Sequence, residues 1–246
     1  GNAGIAAAYT GRALGIPVTI VVPETTSPEV RQSIEATGAT VLVHGSVFDE
    51  ANAYAIERAK ARKAAYVHPF DHPLLWDGHG TLIDEVVAKS AEFDCVITSV
   101  GGGGLLAGIV AGLKRNGLSD VPVIAVETQG AASLHASLAA GERITLPAIT
   151  SIASSLGARQ VAQHVFDLPK DHPIESVTVT DAQAVTACLK FADAYRILVE
   201  PACGAALAVA DVHSDILVRF NNPLIEVCGG IGVSLEKLMV WKERLL

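Results

Sequence analysis

Four consecutive glycines, Gly101, Gly102, Gly103 and Gly104, stand between an apolar run ending at Ser99-Val100 and a second one opening at Leu105-Leu106. A backbone without Cβ atoms can bend sharply and aim several N–H groups at one point. The helix that follows adds the positive end of its dipole. Strand, glycine turn and helix start together make an anion cradle, best suited to a phosphate. The order is neither GxGxxG nor a P-loop. No Lys follows to grip a nucleotide γ-phosphate and no Ser or Thr to hold Mg²⁺, so the phosphate expected here belongs to something smaller than ATP. The alternative is a tight turn packed on a helix, which rarely needs four glycines.

Two further segments could touch a ligand. Gly1-Asn2-Ala3-Gly4 opens a helix and can present backbone N–H groups and an amide side chain to a carboxylate or phenolic oxygen; its plainer reading is an N-cap. Glu226-Val227-Cys228-Gly229-Gly230 ends the last strand, the edge at which open α/β sheets bind ligands. A thiol there can donate a weak hydrogen bond to a ring nitrogen, or simply be a small buried hydrophobe. His68 and His72 are four apart, but Pro69 and Pro73 break the helix a zinc-binding pair would need. Asp84-Glu85 reads as a solvated helix face, and no GxSxG elbow is present.

The elements that must position these residues alternate strand and helix. Helices are expected over residues 5–14, 28–38, 47–62, 82–91, 105–115, 181–191 and 201–212, with a last one from Ser234. Strands are expected over 18–22, 40–43, 66–67, 95–100, 121–126, 177–180 and 223–228. Residues 129–155 read as short helices and loops. The strands lack clean alternation, the mark of a parallel sheet covered on both faces. The loop at residues 68–73 is the expected boundary between a small domain, 1–70, and a larger cofactor-binding domain, 71–246.

Composition narrows the function classes. Half of the 246 residues are hydrophobic, 18% are charged and the net charge is −8; mean hydropathy is +0.39. A disordered chain is excluded. With no Lys/Arg-rich block, nucleic-acid and anionic-membrane partners are not expected. The four cysteines show no CxxC spacing, which argues against a disulfide scaffold or a Cys-zinc site and for a reducing compartment. No signal peptide and no membrane span are visible. The chain opens on a turn rather than on Met, so an upstream segment is expected.

GNAG, VHPFDHPLLWDGHGTL, SVGGGGLLAGIVAGL, PVIAVETQGAASLHA, ITSIASSLGA, LVEPACGAALA and EVCGG occur in that order. The set resembles the L-serine dehydratase/L-threonine deaminase family of fold-type II pyridoxal-phosphate enzymes, and the resemblance spans essentially the whole chain. It implies an α/β fold of two open twisted, mostly parallel sheets flanked by helices, tryptophan-synthase-β-like. It implies pyridoxal 5'-phosphate as cofactor, with Gly101, Gly102, Gly103, Gly104 and Leu105 on its phosphate, Asn2 on its phenolic oxygen, Ser155 against one ring face and Cys228 facing the pyridine nitrogen. Gly1, Asn2 and Ala3 would take the substrate carboxylate. Glu127, with the carbonyls of Ala131, Leu156 and Ala158, would hold a monovalent cation such as K⁺. Ala3 where relatives carry His or Thr points to the serine dehydratases.

The implied reaction is loss of water and ammonia from L-serine, and from L-threonine, to give pyruvate or 2-oxobutyrate, in a cytoplasmic homodimer acting on small amino acids. A neutral thiol of pKa about 8.5 facing the ring would leave its nitrogen largely unprotonated. Three departures stand beside the resemblance. The family's Schiff-base lysine belongs upstream of Gly1, and no lysine here matches it; Ile231-Gly232 replaces Ser/Asn-Asn; and the stretch 213–223 is short. The rival readings are a racemase or β-replacement synthase of the same fold, a non-catalytic pyridoxal-phosphate binder, or a nucleotide-binding Rossmann protein. No regulatory domain is expected after Leu246.

Overall fold

The computed structural model describes all 246 residues, which divide into two compact units, Gly1–Pro69 and Phe70–Leu246. In the first unit, helix α1 (Asn2–Leu14), strand β1 (Thr19–Val22), α2 (Pro28–Glu35), β2 (Thr40–Val43) and α3 (Phe48–Arg62) follow in order. β1 and β2 pair in parallel, Thr19 opposite Thr40, so α2 is a crossover helix. It starts where Ser27 caps and Pro28 fills the first turn. Ala8, Val22 and Ile34 form the small core.

The second unit contains α4 (Pro73–Ala88), β3 (Cys95–Ser99), α5 (Gly104–Arg115), β4 (Val123–Thr128), α6 (Ser133–Ala140), α7 (Gln163–Asp167), β5 (Ile174–Val179), α8 (Asp181–Tyr195), α9 (Pro201–Val212), α10 (Ser214–Leu217), β6 (Pro223–Ile225) and α11 (Leu235–Leu245). Single 3-10 turns lie at Gln129–Ala131, Ser154–Leu156 and Leu168–Lys170. The sheet runs β5-β4-β3-β6, parallel throughout. Every residue of β3 and β4 is buried, as continuous apolar runs require. Alternate residues serve opposite faces: Val96, Val123 and Ala125 pack with Leu106, Ile109 and Leu113 of α5, while Ile97, Ile124 and Val126 pack with Ala205 and Val209 of α9. Each fully buried Leu or Ile contributes roughly 1.5–3 kcal/mol. The α/β class with parallel sheets flanked by helices is thus the fold observed.

α4 departs most from expectation. It begins at Pro73, nine residues before the expected start at Leu82, with His72 as its N-cap accepting the Leu74 N–H at 3.2 Å. Pro73 occupies the first turn, where no N–H is needed. Gly80 lets α5 approach closely: a Cβ there would lie 3.0 Å from the Gly108 carbonyl oxygen, and one on Gly112 would lie 2.6 Å from that of Gly80. Asp84 is not on a free solvated face either. It takes the Arg115 guanidinium at 2.5 and 3.1 Å and the Asn116 amide at 2.6 Å, clamping α4 to α5. Tyr66 and Val67 form no strand, since no neighbour offers them a ladder.

Candidate active site

β3 is the point where the sheet's order reverses: from it the chain steps to β4 and β5 on one side and later to β6 on the other. Ligands gather beyond the carboxyl ends of the strands at such a switch point. The glycine run leaves the end of β3, and Cys228 follows the end of β6, the neighbouring strand.

The backbone of the glycine run is fixed from three sides. A Cβ on Gly102 would lie 2.3 Å from the Phe70 ring, one on Gly103 2.6 Å from Val165, and one on Gly101 3.1 Å from Cα of Leu156. Gly103 has φ +94° and is the N-cap of α5. Phe70 is itself held through its carbonyl by the Trp76 indole N–H at 2.8 Å. The glycines therefore serve close packing, and that packing shapes the cradle. The amides of residues 101–106 donate to no protein acceptor, although Gly102 accepts the Ala162 N–H and Gly103 that of Ala107. Gly102, Gly103, Gly104 and Leu106 are buried. Six successive orphan donors at the positive end of a twelve-residue helix are the complement of a polyanion such as phosphate.

Ser155 and the turn around Cys228 are joined by Glu200, a residue whose role the sequence did not reveal. Its Oε2 accepts the Ser155 hydroxyl at 2.7 Å and its Oε1 the Gly232 N–H at 2.6 Å. Its own N–H donates to the Gly229 carbonyl. A Cβ on Gly230 would lie 2.2 Å from this carboxylate, so the turn needs glycine there. Glu200 precedes Pro201 as the N-cap of α9; its partners lie far away in sequence. Here too the expected Ser/Asn-Asn is replaced by Ile231-Gly232, and the backbone of Gly232 does the hydrogen bonding.

Cys228 is exposed, whereas Cys95, Cys188 and Cys203 are buried, and all four are free. The Cys228 thiol donates to Oε1 of Glu226 at 2.9 Å. Cys203 beside it, burial and the Glu226 carboxylate all push the thiol's pKa up, so it stays protonated. Cys203 accepts the Gly229 N–H and donates to the Gly229 carbonyl.

Glu127 ends β4 completely buried, its oxygens accepting the N–H groups of Leu134 (2.9 Å) and His135 (2.7 Å) at the start of α6. Burial pushes its pKa up to about 7 against the pull of these amides, and no cationic side chain acts on it. Ala131 and Leu156 belong to the core cluster of Ile124 and Val126 of β4, and the Leu156 carbonyl accepts the Ala158 N–H. A carboxyl with folded pKa above its ordinary 4.5 holds its proton longer in the folded chain, so that part of the stability is present in acid and lost as pH rises to about 7. In potassium-free buffer, unfolding free energies of the protein and of Glu127→Gln should converge by up to about 3 kcal/mol across that window; a pH-independent difference would refute this. No group of three or more His, Cys, Asp and Glu side chains forms a metal cluster.

Gly1, Asn2 and Ala3 lie in the first unit. Gly1 is the N-cap of α1, without a side-chain cap, and Asn2 and Ala3 are its first helical residues. The segment is thus a helix start, with amides that cannot bond within the helix.

An anion cradle and an exposed thiol at the switch point of a parallel sheet define a class, and the chain belongs to the pyridoxal-phosphate-dependent enzyme family, whose model matches residues 1–221. Within it, the chain is 47% identical over 256 residues to a "Serine dehydratase-like" protein of Rattus norvegicus, covering 100% of this chain and 77% of that one. It is 46% identical over 257 residues to the "L-serine dehydratase/L-threonine deaminase" of Homo sapiens, covering 100% and 78%. The crystal structure of a fungal L-serine ammonia-lyase from Rhizomucor miehei superposes with TM-score 0.90 at 35% identity, covering 98% of this chain and 78% of that one. That of maize serine racemase gives 0.87 at 26% identity, covering 100% and 76%.

Proposed function

We propose that this protein removes water and then ammonia from L-serine, and from L-threonine, giving pyruvate or 2-oxobutyrate. The observation that carries the reading is the run of six unpartnered amides at residues 101–106, in a chain 46% identical to a named serine dehydratase/threonine deaminase. The residues present fit the cofactor. Gly101, Gly102, Gly103, Gly104 and Leu105 bind its phosphate, Cys228 faces its ring nitrogen, and Ser155, fixed by Glu200, lies against its ring. In the first unit Asn2 serves the phenolic oxygen, and the Gly1, Asn2 and Ala3 turn takes a carboxylate. Bound pyridoxal phosphate supplies the electron sink for charge left on a substrate carbon.

The chain's own groups bind, orient and shield. The cradle fixes the phosphate by charge-assisted hydrogen bonds, and the buried floor of Val100, Leu106 and Val165 keeps water from beneath it. Glu127 with the carbonyls of Ala131, Leu156 and Ala158 holds a monovalent cation. The support is a completely buried carboxyl group on which no cationic side chain acts, a hard oxygen donor. Potassium should then flatten the pH dependence predicted above. The protein acts as a homodimer in the cytoplasm, a setting that its four free thiols suit. No helix is long and apolar enough to cross a membrane.

The test is twofold. In protein that carries the expected segment upstream of Gly1, added pyridoxal phosphate should develop a long-wavelength absorbance band that borohydride fixes to a lysine of that segment. The loaded protein should form pyruvate from L-serine faster than D-serine from L-serine. Binding without pyruvate would leave only a cofactor-binding protein, and faster D-serine would make it a racemase.

A further inference from the structure

Cys203 and Cys228 come from different elements and meet at one place. Cys203 lies in the first turn of α9 and is 2% exposed. Cys228 follows β6 and is the one exposed thiol of the chain. The Cys203 sulfur accepts the Gly229 N–H at 3.2 Å and donates to the Gly229 carbonyl at 3.3 Å, so it lies against the backbone that leaves Cys228. The two thiols hydrogen-bond to each other, which lowers the pKa of Cys203 and raises that of Cys228. A Cβ on Gly229 would meet nothing within 4 Å, so nothing packs on that side of the turn.

A buried cysteine by itself is a small hydrophobe. Two thiols in contact, one of them open to solvent, are the starting point of a disulfide. Cys188 lies close to the same turn of α9, since a Cβ on Gly204 would be 2.6 Å from its sulfur. It is completely buried, however, and its S–H is bound to the Glu200 carbonyl at 3.3 Å.

We propose that Cys203 and Cys228 are a redox pair: a small external disulfide oxidises them to an intramolecular bridge, and the bridge closes the site of the cofactor's ring. The second half rests on the placing of Cys228 against the ring nitrogen; the first half does not. The reaction is two successive exchanges. The Cys228 sulfur attacks one sulfur of the external disulfide, for which oxidised glutathione serves. Its proton passes to the Glu226 carboxylate, which accepts the S–H at 2.9 Å. The external S–S bond breaks and one thiolate leaves. The Cys203 sulfur, its proton lost to that thiolate, then attacks Cys228 and expels the second thiolate, which takes the proton held by Glu226. Two protein S–H bonds and one external S–S bond are lost; one protein S–S bond and two external S–H bonds form. The protein gives up two electrons and the external disulfide takes them. In a reducing compartment the pair rests as thiols. Oxidation removes the S–H at the ring and draws the Gly229-Gly230 turn toward α9.

The test follows the bond and then the cofactor. Cofactor-free protein is treated with oxidised glutathione at pH 8, remaining thiols are blocked with iodoacetamide, and tryptic peptides are mapped without reduction. Cys188, Cys203 and Cys228 fall in separate peptides, residues 171–190, 197–219 and 220–237. Peptides 197–219 and 220–237 should appear linked. The link should vanish with dithiothreitol and be absent in Cys203→Ala, where Cys228 stops as the mixed disulfide with glutathione. An unresolved mixed disulfide in the unsubstituted protein, a bridge through Cys188, or no reaction overturns the redox pair and leaves the placing of Cys228 untouched. The bridged protein should bind pyridoxal phosphate about tenfold more weakly than the reduced protein, or worse, as expected for one lost hydrogen bond, with recovery in dithiothreitol. A bridge that leaves this affinity unmoved overturns control of the site, and with it the placing of Cys228 at the ring.

Discussion

Gly103→Ala should weaken pyridoxal-phosphate binding by a hundredfold or more (roughly two decades) while the chain still folds. The residue sits at φ +94°, where a side chain is strained, at a cost of roughly 1–3 kcal/mol. The new methyl carbon would also lie 2.6 Å from Val165, itself fully buried and unable to retreat. The backbone must shift, and the amides of residues 101–106 then no longer converge. Losing two hydrogen bonds to a charged group costs about 3–6 kcal/mol. Gly117→Ala is the control. It has φ +74° but nothing within 4 Å of a Cβ, so it should lose some stability and no cofactor affinity. Equilibrium titration followed by cofactor absorbance measures both. Unchanged affinity in Gly103→Ala would remove the cradle from the phosphate.

Gly108→Leu should be the most damaging single change to stability. A Cβ at Gly108 would lie 2.3 Å from Cβ of His79 and 2.7 Å from the Trp76 carbonyl oxygen, and these belong to α4 rather than to a movable side-chain tip. The two helices must separate, opening the crossing where Gly80 meets Gly108 and Gly112. Overpacking of this kind costs about 3 kcal/mol or more, roughly 10 °C in Tm for a chain of this length. Gly78→Ala, in the same α4 with open space at its Cβ, should instead be neutral or stabilising by up to about 1 kcal/mol. Differential calorimetry on the pair decides whether the crossing or the helix's glycine content controls stability.

What could be read from the chain was local. A four-glycine turn between apolar runs carries its meaning in adjacent residues, as do Ser27-Pro28 and the unalternating strands. What could not be read depends on partners distant in sequence. The helix was expected only from Leu82, because Pro and Gly break helices on their own; opposite Gly108 and Gly112, Gly80 allows a close crossing. Asp84 looked solvated until Arg115, 31 positions on, was brought to it. Glu200 gave no signal in the sequence, since Ser155 and Gly232 lie 45 positions before and 32 after it.

Clamped by Phe70, Leu156 and Val165, the glycine run has surrendered its freedom during folding, before any ligand arrives. The entropy that flexible glycine would lose on gripping an anion is already spent. A phosphate therefore meets a rigid socket rather than a closing hand, and how long the guest stays depends on how soundly Phe70, Leu156 and Val165 hold the walls.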